Sequence, residues 1–229
     1  NGYFALLTEE KGFKAQIIVY DKNGEEFYKW HSAENFVTDI TLSPSNTAFA
    51  ASALDYSDGA LKSKLLIFDT TQEEPKITDA NENFTQIEFI GRSKIAVVSD
   101  NAVSVYSTGG NRLWQHSFGS KTVFAYKIKD GKIAAAAGDS NLGTETLDVL
   151  MFNDGGKAVV NFKNKGEAVC LDILGNDVLI AGKRYMRVAG NKEKSYIKTG
   201  KDIVSAQFFG NNKTALVHSG ALVQLEYFD

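Results

Sequence analysis

Polar side chains recur at alternate positions of several short apolar segments, where they could line a common channel. Two of them, Asp39 and Asp172, are aspartates, and paired carboxylates perform general acid–base hydrolysis. The full set of such candidates is Asp39, Thr41, Gln86, Glu88, Lys127, Asp172 and Gln207. These residues leave open one enzyme hypothesis, a hydrolase or lyase that acts on cell-surface glycan or peptide in a central channel.

The chain has three histidines, His31, His116 and His218. Two of them follow shortly after tryptophans, in "WH" at 30–31 and "WQH" at 114–116, and each of these motifs ends a segment that reads as an outer β-strand. Outer strands keep their side chains far apart, whereas a metal site or a catalytic triad needs them together. We therefore expect neither from the histidines.

The loop "GDSNLGTET" at 138–146 carries oxygen ligands of the kind that Ca²⁺ takes. The candidate ligands are Asp139, Asn141 and Glu145. Gly143 is out of register with the EF-hand pattern, and polar tips of β-hairpins have the same composition. Both a calcium loop and an ordinary hairpin tip stay open.

A second long hairpin, "ALDYSDGALKSK" at 53–64, mixes charged with exposed apolar residues. The candidate partner-binding residues are Tyr56, Asp58, Leu61, Lys62 and Lys64. Loops carry binding function more often than the scaffolds that hold them. The hypothesis is a contact with a partner, and the alternative is a solvated hairpin arm.

Composition excludes several classes of protein. The chain has 229 residues, with 25 Lys and Arg against 28 Asp and Glu, and its net charge is -3. This balance argues against a nucleic-acid-binding protein, which needs a basic surface for phosphates. No apolar run approaches the roughly 20 residues of a membrane helix. The single cysteine, Cys170, lies in an apolar run that predicts a buried thiol.

An internal repeat positions all of these residues. The pattern apolar-x-x-apolar-x-apolar occurs five times, and each copy is followed by a turn, a run of small apolar residues and a third segment. The third segment ends on a recurring aromatic residue, which is Tyr20, Phe68, Tyr106 or Phe152. Four short strands in each repeat, without helical periodicity, predict the blades of a β-propeller. A β-sandwich would show less regular strand spacing.

We predict one all-β domain, residues 1–229, made of about six four-stranded antiparallel blades. The predicted blades are 3–32, 36–80, 84–119, 122–163, 168–200 and 202–229. The first lacks its innermost strand and the last its outermost, which indicates a fragment of a larger propeller. Exposed strand edges template further pairing, so we expect a homo-oligomer that forms through these edges.

The segment at 15–69, with "VYDKNG", "DITLSPS" and "LKSKLLIFD", resembles a bacterial family of membrane-anchored β-propellers without an established activity. The resemblance implies about eight blades behind one N-terminal membrane helix, with residue 1 inside the third blade. It also implies a location on the extracytoplasmic face of the cell membrane. "VSVYSTGGNRLWQHSF" is more loosely similar to repeats of quinoprotein-like propellers, but two tryptophans are too few for a quinone site.

Together these observations favour a noncatalytic binding or scaffolding propeller outside a bacterial cytoplasm. We expect no enzyme activity and no cofactor. The expected partners are proteins or cell-envelope components, not nucleic acid, and any membrane contact would use an anchor that this chain does not contain. The channel hydrolase or lyase is the alternative.

Overall fold

The computed structural model describes residues 2–56, 59, 61–139, 146–190, 192–220 and 222–228. Their regular structure is entirely β-strand, which confirms the predicted all-β class. Within these ranges no helix has the length and apolar character to cross a membrane. β-Branched residues and frequent Gly and Asn turns favour short strands over helices here.

In the described part of the chain, 22 strands form six antiparallel sheets, each following the order of the chain. The first three sheets are β1 (Phe4–Thr8), β2 (Ala15–Tyr20) and β3 (Glu26–Ser32); β4 (Phe36–Leu42), β5 (Ala48–Asp55), β6 (Lys62–Asp69) and β7 (Lys76–Asp79); and β8 (Phe84–Phe89), β9 (Lys94–Ser99), β10 (Ala102–Ser107) and β11 (Arg112–Ser117). The other three are β12 (Thr122–Lys129), β13 (Lys132–Gly138), β14 (Thr146–Asn153) and β15 (Ala158–Lys165); β16 (Cys170–Leu174), β17 (Asp177–Gly182), β18 (Tyr185–Ala189) and β19 (Glu193–Lys198); and β20 (Ser205–Phe209), β21 (Asn211–Ser219) and β22 (Leu222–Tyr227).

Two of the six sheets have three strands. In the first sheet β1 pairs with β2, as a second strand of the repeat does, and among the described residues no strand pairs on its other side. In the last sheet β22 pairs with β21 as a third strand does. The three-stranded first and last sheets agree with the strand count expected from the repeat.

The chain divides into two compact units. One comprises Asn1–Asp100 and Ser104–Gln115, and the other Asn101–Val103 and His116–Asp229. The core of the first unit includes Phe49 and Phe68, whose rings stack with centroids 4.1 Å apart and which are fully buried.

The core of the second unit is built on the small residues of the second strands. Ala134 and Ala136 of β13 pack with Leu171 and Ile173 of β16 in one buried cluster. Alanine leaves room for a neighbouring sheet to approach closely, so the small-residue runs determine how tightly adjacent sheets stack.

Candidate functional site

The two inner-strand aspartates, Asp39 and Asp172, accept hydrogen bonds from backbone N–H groups. Asp39 Oδ2 in β4 accepts the N–H of Ile87 in β8 at 2.9 Å. Asp172 Oδ2 in β16 accepts the N–H of Phe208 in β20 at 2.8 Å. In both cases the donor belongs to the first strand of the next sheet, so each carboxylate joins two neighbouring sheets.

Each of these two strands has a second side chain that accepts a backbone N–H of the next sheet. Thr41 Oγ1 accepts the N–H of Phe89 at 3.2 Å, and Cys170 Sγ accepts the N–H of Ala206 at 3.1 Å. Each of the two first strands therefore offers two acceptors, two residues apart, to two N–H groups of the next first strand. Burial raises the pKa of the Cys170 thiol, which keeps the sulfur protonated and suits this structural role.

The remaining polar candidates of the inner strands do not gather into a reaction centre. Lys127 and Gln207 are exposed, and Gln86 and Glu88 are half-buried. The Lys129 Nζ atom lies 3.0 Å from Asp172 Oδ1, so this carboxylate has both an ionic and a backbone partner. In the part of the chain that the structure describes, no three His, Cys, Asp or Glu side chains form a group that could hold a metal ion.

The histidines contact residues that give them packing roles. His31 Nε2 lies 2.7 Å from Gln16 Nε2, and its ring lies 4.6 Å from that of Phe13. The His116 ring lies 4.9 Å from Phe152, and burial lowers the pKa of its imidazole. His218 lies in β21, opposite Ser205.

The "WH" and "WQH" motifs each end a fourth strand on a tryptophan and its histidine, which predicts that Trp30 and Trp114 occupy equivalent positions. This prediction is wrong. The turn before Trp30 closes with the bond from Asp21 N to Glu25 O, five residues earlier. The turn before Trp114 closes at Asn111 O, only three residues earlier. His116 is five residues after Asn111 and is the true counterpart of Trp30. Accordingly, the ring centroids of Trp30 and Phe68 lie 5.1 Å apart, and those of His116 and Phe152 lie 4.9 Å apart. Phe68 and Phe152 are the third-strand aromatic residues of the sheets that follow.

The calcium hypothesis falls largely outside the described residues. Asp139 directly follows β13, whereas Asn141 and Glu145 belong to the part of the loop that the structure does not describe. The calcium loop stays a prediction.

The partner-binding hairpin joins β5 to β6. Tyr56 is 69% exposed and Leu61 is 51% exposed, and Asp58 lies outside the described residues. Lys62 lies opposite Asp55 in the strand pairing. Lys64 Nζ lies 2.7 Å from Asp55 Oδ2, and this hydrogen bond raises the pKa of the lysine. The two large apolar side chains, rather than Lys64, are therefore presented to solvent.

Sequence reasoning missed a cavity at the opposite end of this sheet. It has a volume of about 640 Å³ and lies in the first unit. Its walls are the start of β5, the end of β6, the segment 70–76, and the loops that precede β9 and β11. Ligand sites in proteins commonly have volumes of this size. No local motif could have revealed it, because its residues come from three strands and four separate loops.

Hydrogen bonds to backbone carbonyl groups hold one wall of this cavity. The Tyr28 hydroxyl lies 3.0 Å from the carbonyl oxygens of both Gln72 and Glu73 and donates to them. Burial raises the pKa of Tyr28, with smaller contributions from Glu74 and Glu73, so the hydroxyl keeps its proton. The Thr70 N–H donates to Thr47 O at 3.2 Å. The segment is thus fixed at several points.

The facing wall is held in the same way. The Thr108 N–H donates to Ser93 O at 3.0 Å, and the Thr78 hydroxyl donates to Gly110 O at 3.1 Å. Gly110 has φ +88, and a Cβ there would lie 2.9 Å from Thr78 Oγ1. Only glycine suits this turn, both for its left-handed backbone and for the close approach.

Four charged side chains line the cavity: Asp69, Glu74, Lys76 and Arg92. Asp69 Oδ1 accepts the N–H of Thr71 at 2.9 Å and its hydroxyl at 2.7 Å. These bonds, together with the charge of Lys76, lower the pKa of Asp69. Glu74 and Arg92 form no ion pair with any of the described residues. Lys76 likewise forms none, so ion pairs with described residues neutralise neither the cationic nor the anionic side chains of the cavity.

The fold is similar to that of solved β-propellers. The Dos1 propeller aligns with a TM-score of 0.67 at 15% identity, covering 93% of this chain and 64% of that one. The C-terminal WD40 domain of Sif2 aligns with a TM-score of 0.64 at 12% identity, covering 97% and 63%. Hsv2p of Kluyveromyces lactis aligns with a TM-score of 0.60 at 10% identity, covering 98% and 73%. Such low identities show the fold alone, and they confirm the predicted β-propeller.

A search among curated proteins found no match. Residues 1–226 match the family described as "Family of unknown function (DUF5711)", and the chain therefore belongs to that family.

Proposed function

We propose that this chain is a noncatalytic binding or scaffolding propeller that contacts a protein or cell-envelope component on the extracytoplasmic face of a bacterial membrane. The observation that carries the proposal is the use of the two inner-strand aspartates. Asp39 and Asp172 accept backbone N–H groups of the next sheet, so the side chains most suited to channel chemistry serve the scaffold.

The fold supports a binding role by analogy. WD40-like propellers commonly mediate protein interactions, and the Sif2 domain to which this chain is similar is one of that kind. Fold alone does not determine function, which must be argued from a site. The membrane anchor, the bacterial source and the eight-bladed whole belong to the resemblance stated above, and the proposed location depends on them.

We place the partner contact on the β5–β6 hairpin, where Tyr56 and Leu61 are exposed. Aromatic side chains are enriched at the centres of protein interfaces because they bury large apolar areas with few rotatable bonds. Lys64 is held by Asp55 and would contribute to the shape of the hairpin rather than to direct recognition.

The test is capture from detergent-solubilised bacterial envelope by the immobilised chain. We expect specific envelope proteins to be retained, and the double variant Tyr56→Ala/Leu61→Ala to retain them at least about tenfold less. The matched control is Leu113→Ala/Val204→Ala, which removes two other exposed apolar side chains and should bind normally.

Equal capture by all three proteins would refute the placement of the contact on the hairpin. A parallel incubation with envelope glycan and peptide, followed by mass spectrometry, tests the noncatalytic part. Time-dependent cleavage in proportion to protein concentration would refute it, and unchanged substrates would support it.

A further inference from the structure

The strand β1 has the position of a second strand in the repeat, yet much of its apolar surface is exposed. It contacts β4 of the following sheet as β5 contacts β8, and among the described residues no strand pairs with its outer edge. The second strands of the four-stranded sheets are buried along most of their length. In β1, by contrast, Phe4, Leu6 and Leu7 are 45%, 44% and 41% exposed. A further strand on this edge would bury apolar surface, which favours its association.

The first strands of other sheets show which groups a strand in this position provides. Each forms a backbone ladder with the second strand of its own sheet. At two junctions it also offers two side-chain acceptors, two residues apart, to backbone N–H groups of the next first strand. The acceptor–donor pairs are Asp39–Ile87, Thr41–Phe89, Cys170–Ala206 and Asp172–Phe208. A first strand is therefore held both by its own sheet and by the next one.

The strand β4 has donors equivalent to those of β8 and β20. Ile40 is the counterpart of Ile87 and Ala206 in the repeat, and its N–H donates at 2.9 Å to Oδ1 of the adjacent Asp39. Alternate N–H groups of a strand point the same way, so the N–H of Leu42 has the direction of that of Ile40. These two groups lie where the other junctions receive acceptors from a preceding first strand.

The two faces of β1 fix how an added strand would be oriented. Leu7 lies opposite Ile17, which packs in one buried cluster with Val37 of β4, so the Leu7 face is directed towards the second sheet. Phe4 and Leu6 lie on the other face, because side chains alternate along a strand. An added strand that directs acceptors towards β4 therefore has its intervening side chains beside Phe4 and Leu6.

We propose that the free edge of β1 and the N–H groups of Ile40 and Leu42, together the β1 edge site, bind an extended segment of a partner protein. The segment forms an antiparallel ladder with β1, and its apolar side chains pack beside Phe4 and Leu6. Two acceptor side chains of the segment, two residues apart, accept the N–H groups of Ile40 and Leu42. In strand addition the backbone bonds provide affinity and the alternate side chains provide specificity. This site goes beyond the proposed hairpin contact and does not depend on it.

The test uses a peptide with the first-strand pattern as the probe. It comprises residues 36–42, "FVTDITL", with blocked termini, an added pair of lysines for solubility and a fluorescein label. Fluorescence anisotropy with the whole chain measures its binding. We expect saturable binding that falls about 10- to 100-fold when alanine and valine replace the Asp39 and Thr41 residues of the peptide, since two hydrogen bonds are lost. Equal binding of the two peptides would overturn the proposal, as would absence of binding.

A pair of chain variants tests the apolar face of the site. Leu6→Lys places a charge where the apolar side chains of the segment pack, and it should weaken binding about tenfold or more. The matched control is Leu113→Lys, which adds the same charge at an exposed position of β11 and should bind as the unmodified chain does. Equal binding by both variants would overturn the placement on β1. The peptide without acceptors tests the site on the unmodified chain, independently of how either variant folds.

Hydrogen–deuterium exchange locates the bound segment. The peptide should slow amide exchange in residues 4–8 and 36–42 and leave 222–227 unchanged. Protection of 222–227 alone would overturn the proposal, because the peptide would then pair with β22. Protection of 4–8 by rising chain concentration, without peptide, would show that a second copy occupies the site and would overturn the assignment to a partner segment.

The hairpin contact and the β1 edge site fail in different ways. The variant Tyr56→Ala/Leu61→Ala changes the β5–β6 hairpin and should bind the peptide normally. Intact envelope capture without peptide binding refutes the edge site alone. Peptide binding with equal envelope capture by the hairpin variant refutes the hairpin contact alone.

Discussion

Asp172 is 2% exposed and has both a backbone and an ionic partner, Phe208 N–H and the Lys129 ammonium group. The variant Asp172→Ala leaves a buried N–H without an acceptor. We expect it to lower the free energy of unfolding by about 1.5–3 kcal/mol, the range for a hydrogen bond to a charged group. Urea titration followed by tryptophan fluorescence measures this.

The control for this variant is Gln207→Ala, which changes an exposed residue of the strand that receives the Asp172 bond. It should change stability by no more than about 0.5 kcal/mol. A neutral Asp172→Ala would mean that the carboxylate does not support the scaffold, and would return it to the candidates for channel chemistry.

His116 makes the second unit sensitive to acid. Burial lowers the pKa of its imidazole, so the unfolded chain binds a proton more readily than the folded chain. Its contribution to stability is present above the ordinary pKa of about 6.5 and is lost as the pH falls below it. His116→Phe keeps ring contacts with Phe118 and Phe152 and removes the titration.

We therefore expect the melting temperature of His116→Phe to fall less than that of the unmodified chain between about pH 7.5 and about pH 5.5. Differential scanning calorimetry at both values measures the difference. Parallel curves for the two proteins would contradict the prediction, and Lys157→Ala should reproduce the unmodified behaviour.

At the scale of the element, the second strands depend on small side chains. Ala136 of β13 is fully buried in the cluster that contains Leu171 and Ile173 of β16. Ala136→Leu inserts extra volume where a neighbouring sheet packs closely. We expect a loss of about 1–3 kcal/mol in the free energy of unfolding, the usual cost of overpacking a core.

The matched control is Ala158→Leu in β15, where the same substitution meets solvent. It should be close to neutral in the same chemical denaturation. If Ala136→Leu were equally neutral, β13 would have free space beside it, and the explanation of its small residues by sheet packing would be wrong.

At the scale of the whole molecule, β22 is the outer strand of the last sheet, and no strand of the described residues pairs with its outer edge. Phe228 N–H donates to Lys213 O in β21. By the alternation of antiparallel strands, the N–H and C=O groups of Val223, Leu225 and Tyr227 point away from β21. These three side chains are also exposed, by 57%, 41% and 69%. Such an edge favours pairing with another strand.

We therefore expect the 229-residue chain to self-associate with rising concentration, as sedimentation velocity would measure. Leu225→Lys places a charge on the edge and should reduce the association, whereas Leu113→Lys, which adds the same charge to β11, should not. A monomer at every concentration would contradict the role of the edge. The anchor and the full number of blades remain predictions from the resemblance.

The sequence by itself determined the fold, because strand alternation, turn residues and the repeated third-strand aromatic are local or periodic signals. The repeat predicts first strands at 37–43, 84–90, 123–129, 168–174 and 203–209. They agree with β4, β8, β12, β16 and β20 within two residues. The register of the fourth strands could not be predicted from the sequence, as Trp30 and Trp114 show. Shifting a strand by two residues keeps each side chain on the same face of the sheet and leaves the hydrophobic pattern unchanged. Only the tertiary structure decided the roles of Asp39, Asp172 and the cavity. The backbone partners of Asp39 and Asp172 lie 48 and 36 residues away, and the cavity is lined by three strands and four loops. Contacts at such separations depend on how sheets stack rather than on any local pattern.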